Sequence, residues 1–93
     1  MNYHEWHSFR DIDRHLELTK GSAFRCFKSL RHELEEGRDF RLLTASDASR
    51  EIDQLRRQGR IYAASINVVL LSDHARARIE ARLTADPDTG NRS

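Results

Sequence analysis

The chain has one cysteine, one proline and four glycines in 93 residues. With Cys26 alone, no intrachain disulfide can form, which suits a reducing cytoplasm. No apolar run approaches the ~18 residues of a membrane span. The start, Met1-Asn2-Tyr3-His4-Glu5, lacks the apolar stretch of a leader, so no targeting segment is expected. The few glycines build neither a phosphate-cradling loop nor a nucleophile elbow. Among the histidines, His4, His7, His15, His32 and His74, only His4 and His7 form a close pair. Structural zinc needs two such pairs, so no metal is expected and no cofactor either. Cys26 sits at the edge of an apolar stripe, where burial favours an inert thiol. A domain this small has little room for a ligand pocket, and neither catalysis nor a small-molecule substrate is expected.

Apolar residues make up 38% of the chain and charged residues 33%. The length suits a single domain with one real core, which buries roughly 60–65% of its unfolded surface. Net charge is only +1, yet the charges are segregated. Residues 18–32 carry Lys20, Arg25, Lys28 and Arg31 and no acid. Residues 33–39 hold Glu33, Glu35, Glu36 and Asp39 against Arg38, and residues 54–60 hold Arg56, Arg57 and Arg60 without an acid. Local field steers a polyanion more than net charge does.

Hydrophobic spacing predicts four helices. Trp6 in the lead-in is expected to pack on the core, with Tyr3 before it. Ser8 caps a helix over 9–16 on which Phe9, Ile12 and Leu16 recur, and Asp11 suits its first turn. Thr19 caps a longer helix over 20–35 with Ala23, Phe24, Phe27, Leu30 and Leu34 on one face, ended by Gly37. Asp39–Thr44 reads as a strand. Ser46 caps a third helix carrying Ala48, Ile52 and Leu55, closed by Gly59. Residues 60–64 and 67–71 read as strands joined near Ser65-Ile66-Asn67, and Ser72 caps a last helix with Ala75, Ile79 and Leu83. The tail from 85 to 93, rich in breakers, is expected to be disordered, leaving residues 1–84 as the domain.

Residues 9–31 carry the functional signal. A helix-turn-helix needs a support helix, a tight turn and a recognition helix joined by apolar contacts. Ile12, Leu16, Leu18, Ala23 and Cys26 fall at that spacing. Two residues depart from the pattern: Glu17 stands where the turn often has glycine, and Asp13 where the support helix has a small residue. The opposite face of the second helix carries Lys20, Ser22, Arg25, Lys28, Ser29 and Arg31, suited to phosphates and base edges. Gly21 and Ser22 keep the helix start small enough for its amides to approach a phosphate. The alternatives are a merely solvated basic face, or a protein-interaction module using that face or the Glu33–Asp39 patch. Arg76, Arg78 and Arg82 on the last helix offer further phosphate contacts, while Ile79 and Leu83 offer a dimer contact.

Residues 9–43 resemble the N-terminal segment of phage antirepressor proteins of the AntA type. The resemblance rests on Ile12 to Leu18, on Phe24 and Phe27, and on Glu36-Gly37-Arg38-Asp39-Phe40. Phe27 stands where that family has Trp, and the match stops after residue 44. It implies a DNA-binding or regulatory role in a prophage or other mobile element; small excisionase-like proteins have a similar size and element order.

The expected fold is therefore α+β, a winged-helix-like helix-turn-helix in the order α-α-β-α-β-β-α with a small antiparallel sheet. The 60–71 hairpin would be the wing, although the Val68–Leu71 run itself reads as buried. Phe9, Ile12, Leu16, Phe24, Phe27, Leu30, Ile52, Leu55, Val69 and Leu71 are the expected core. Double-stranded DNA is the expected partner, held by Lys20, Ser22, Arg25, Lys28, Ser29 and Arg31, with Arg56, Arg57 and Arg60 as secondary backbone contacts. Arg25 is the expected base reader. One helix-turn-helix gives modest specificity, which leaves room for a homodimer or a protein partner.

Overall fold

The computed structural model of the chain describes residues 5–85, so Tyr3, His4 and the tail from 86 onward lie outside the described residues. The fold is α+β, with four helices and a two-stranded antiparallel sheet. In chain order these are α1 (Phe9–His15), α2 (Ser22–Leu30), β1 (Phe40–Leu43), α3 (Ser49–Arg57), β2 (Val68–Leu71) and α4 (Asp73–Ala85). A 3₁₀ turn, Arg31–Glu33, follows α2. Ala85, expected in the tail, is the last residue of α4.

Several ends follow local chemistry. Ser8 and Asp11 form a capping box: the Ser8 hydroxyl accepts from the Asp11 amide, and the Asp11 carboxylate accepts from the Ser8 amide. Ser72 Oγ accepts from the Ala75 amide at the start of α4. Gly59, at φ 73°, ends α3 with amide bonds from Gly59 to Arg56 O and from Arg60 to Leu55 O. That pair of bonds is a Schellman closure, and the left-handed φ explains the glycine.

Other ends differ from expectation. Ala48, not Ser46, is the N-cap of α3, because the carbonyl of Thr44 already holds the Asp47 and Ala48 amides in a turn. Helix α2 stops at Leu30 instead of running to 35. Glu33, Glu35 and Glu36 would crowd acids onto a helix C-terminus, where the macrodipole disfavours them. Gly37, at φ 94°, turns the chain into β1 instead, and its amide bonds Phe40 O at 2.7 Å. The buried Asp39 carboxylate accepts from the Glu35 amide and from Arg38. The Arg38 hydrogen bond, then that amide, holds its carboxyl below the usual range.

The pairing of the sheet is the main departure from the sequence reading. β2 pairs with the distant β1, Phe40 opposite Leu71 and Leu43 opposite Val68. Residues 60–64 form no strand, so the expected wing hairpin is not built. Side chains take their carbonyls: Arg10 bonds Gly59 O and Ile61 O, Ser8 bonds Arg60 O, and Arg56 bonds Ala63 O and Ser65 O. Polar backbone satisfied this way needs no ladder.

The sheet separates two cores, as its alternating side chains require. On one face Phe40 and Leu71 join Ile12, Ala23, Phe27, Leu30, Ala75 and Ile79. On the other Leu43, Val68 and Leu70 join Ile52, Leu55 and Ile61, with Trp6 packed against them as expected. Phe9, Leu16 and Val69 are partly buried against the first core. Phe24, expected in the core, is 45% exposed. The buried stripe of α2 is Ala23, Cys26, Phe27 and Leu30, and Phe24 stands on its flank.

Candidate nucleic-acid interface

Helices α1 and α2 are joined by residues 16–21, a six-residue link longer than the three- to four-residue turn of a helix-turn-helix. Leu16 caps α1, and Glu17 takes the left-handed conformation at φ 55°. The Leu18 amide returns to Asp13 O at 2.7 Å. Glu17 thus occupies the position that glycine would fill without strain.

Asp13 has a role that its sequence position hid. It is 2% exposed, and its carboxylate accepts from the amides of Gly21 at 3.1 Å and Ala23 at 2.9 Å. Tyr62 donates its hydroxyl to the same carboxylate at 2.5 Å. Burial and then this bond push the Tyr62 phenol up to about 12. The N-cap is therefore Gly21, at φ 91°, and not Thr19, whose carbonyl accepts from the Ser22 amide. With the Gly21, Ser22 and Ala23 amides all engaged, the start of α2 has none of them to offer a phosphate. The expectation that these amides would bind one is corrected by the Asp13 cap.

The outward face of α2 is exposed at Phe24, Arg25, Lys28 and Ser29. Arg25 Nη2 donates to Ser22 Oγ at 3.4 Å, and no carboxylate pairs with Arg25 among the described residues. A Cβ on Gly21 would lie 3.2 Å from Arg25 Nη1, so glycine also leaves room for this guanidinium. Lys28 Nζ stands 5.4 Å from the centre of the Phe24 ring, and Lys20 Nζ 5.0 Å from that of Tyr62. Ser22 Oγ donates to Thr19 O, and Ser29 Oγ to Cys26 O. Arg31, beyond the end of α2, lies over Phe40 at 4.5 Å.

The second basic cluster divides. Arg56 pairs with Asp53 at 2.8 Å and holds two carbonyls of the 63–65 segment. Arg60 is 19% exposed, pairs with Asp11 at 2.8 Å and bonds Trp6 O. Both fasten the loop that the sequence reading took for a strand. Arg57 is exposed, with no ion pair among the described residues.

Two concavities flank α2. One, of about 270 Å³, lies between its start and the 61–69 segment, lined mainly by apolar atoms, with Phe9, Phe24, Tyr62 and Val69 in its wall. The other, of about 320 Å³, lies along α4 between Ser22, Arg25, Cys26, Ser29, Arg82 and Leu83. Cys26 is buried there, and burial raises its thiol above the ordinary value against the opposing charge of Arg82. His7 bonds Asp73 and Arg76, and no three metal-ligating side chains converge among the described residues. No described helix is long and apolar enough to cross a membrane.

Sequence reasoning missed Asp13 and Tyr62 as the anchor of α2. Asking what satisfies the first amides of α2, which lacks a side-chain cap of its own, was the signal that would have found Asp13.

In comparisons with protein-family models, curated proteins and solved structures, nothing matches the chain.

Proposed function

We propose that this chain binds double-stranded DNA through the outward face of α2, as a regulator or architectural factor of a prophage or other mobile element. The observation that carries this reading is an acid-free face: Arg25 and Lys28 stand in solvent with Lys20 beside them. Of the two carboxylates nearest before α2 in the chain, Asp13 is buried against its amides, and Glu17 stands outside the helix in the turn before it. Lys20, Arg25 and Lys28 are the principal contacts, with Ser22 and Ser29 on α2 and Arg31 just beyond its end; Arg57, on α3, is a separate backbone contact. The Asp13 cap and the α1–α2 turn fix the angle at which this face is presented. A cytoplasmic site of action suits the lone reduced Cys26. The mobile-element assignment rests on the resemblance of residues 9–43 alone.

The test is fluorescence anisotropy of a labelled duplex titrated at two salt concentrations. Three neutralised phosphates give a slope of about −2.7 in log K against log salt, so raising salt from ~50 to ~200 mM weakens binding about 40-fold. The Arg25→Ala/Lys28→Ala variant loses most of that binding. Absence of binding at low salt by folded protein overturns the reading.

A second reading, a protein-interaction module, is favoured by one observation. Phe24 and Leu42 are 45% and 48% exposed, and Leu42 pairs with Val69, which lines the groove beside Phe24. A partner held there would be released by Phe24→Ser and would respond weakly to salt.

A further inference from the structure

We infer that the crevice between α2 and α4 is an oxyanion site in which Arg25 and Arg82 together hold one phosphate group. The inference deepens the DNA reading and rests on it for the phosphate's source. Many of the arginines are already engaged, while Arg14, Arg31, Arg50 and Arg57 stand apart from one another without a carboxylate partner among the described residues. Arg10, Arg38, Arg56, Arg60, Arg76 and Arg78 each bond a carboxylate or a backbone carbonyl. Arg25 and Arg82 have no carboxylate partner among the described residues, and both line the same crevice from different helices.

Three features suit a phosphate there. The crevice of about 320 Å³ is walled by Ser22, Ser29 and the two guanidinium groups, so its polar surface is donor-rich and acid-free. Arg25 lies back along α2, with Nη2 on Ser22 Oγ and Nη1 beside Gly21. That posture shortens its reach toward a base edge and keeps the guanidinium at the wall of the crevice. Arg82 enters the crevice from α4, next to Leu83 and opposite the buried Cys26 of α2. Two unpaired guanidinium groups facing one cleft repel each other, and a shared oxyanion relieves that repulsion while accepting bonds from both. The site assigns Arg25 to the nucleic-acid backbone and not to the base edge expected from its helix position.

The test uses full-length ¹⁵N-labelled protein titrated with inorganic phosphate, with chloride as the ionic-strength control, reading arginine Nε–H resonances. Saturable shifts of Arg25 and Arg82 together, absent at Arg57, support the site; Arg82→Gln abolishes the Arg25 response without changing the melting temperature. Equal shifts at every exposed arginine, or the same shifts in chloride, overturn it. On a labelled duplex, Arg82→Gln weakens binding about fivefold on every sequence and lowers the salt slope by about one. Unchanged duplex affinity in Arg82→Gln overturns the site as a DNA contact while leaving the α2 reading standing. A saturable phosphate response in protein that binds no duplex supports the crevice as a site for a free or small-molecule phosphate, and the DNA reading then falls alone.

Discussion

The Tyr62 hydroxyl donates to Asp13 Oδ2 at 2.5 Å, the same oxygen that accepts from the Gly21 amide. One carboxylate on α1 therefore ties the start of α2 to the irregular 59–67 segment. The outward face of α2 is aimed by a buried charge that is itself fully hydrogen-bonded, which is the condition under which burial is tolerated.

Asp13→Ala removes that tie and leaves the Gly21 and Ala23 amides and the Tyr62 hydroxyl without their acceptor. The expected loss is about 2–4 kcal/mol, combining a lost cap with charge-assisted hydrogen bonds. Urea denaturation with an unchanged slope measures it. A loss within experimental error would show that water replaces the carboxylate.

Tyr62 gives the fold an alkaline limit. Its folded phenol is raised above its ordinary value of 10.0 to about 12, so its contribution to stability is fully present below pH 10. That contribution is lost as pH rises from 10 to about 12, where the unfolded chain gives up the proton first. Tyr62→Phe should be less stable at pH 8 by about 1–3 kcal/mol and should lack the fall above pH 10. Chemical denaturation of both proteins across that range compares them.

Two phenylalanines three residues apart should behave differently. Phe27 is 5% exposed and packs between Phe9, tilted against it, and Phe40, edge-on to it, with ring centres 5.2 Å from each. Phe27→Ala should cost about 3–5 kcal/mol, as large core truncations do. Phe24→Ala, on the exposed flank, should cost less than about 1 kcal/mol. Equal melting temperatures for the two variants would contradict the burial pattern of α2.

Glu17 carries backbone strain at φ 55°. Glu17→Gly should raise stability by about 0.5–1 kcal/mol, since release of a left-handed non-glycine exceeds the added flexibility of the unfolded chain. A thermal melt reads the gain, and a lowered melting temperature would mean that Glu17 makes a compensating contact.

Arginines should separate by role. Arg56→Ala breaks the Asp53 pair and frees the carbonyls of Ala63 and Ser65, costing about 1–3 kcal/mol. Arg25→Ala should change stability by less than about 0.5 kcal/mol while weakening duplex binding. Melting and anisotropy on the same two proteins distinguish them; a melting loss for Arg25→Ala as large as that for Arg56→Ala would reject the division.

The sequence by itself determined what depends on neighbours within a turn or so. The capping box of Ser8 and Asp11, the Ser72 cap and the Gly59 closure all join groups a few residues apart. The buried stripes through Ile12, Phe27, Leu30, Ile52 and Leu55 follow from helical periodicity alone. Tertiary structure decided what depends on distant partners. Val68–Leu71 carries no mark saying that its ladder lies at Phe40–Leu43, because backbone hydrogen bonds are the same for any strand. The 60–64 segment has strand-forming residues, yet its neighbourhood supplies Arg10, Ser8 and Arg56 to take carbonyls first. Asp13 reads locally as a misplaced acid and becomes a cap only when α2 is brought against it. Charge behaves likewise: the sequence counts arginines, but only packing determines which already hold a carbonyl or carboxylate and which still face solvent.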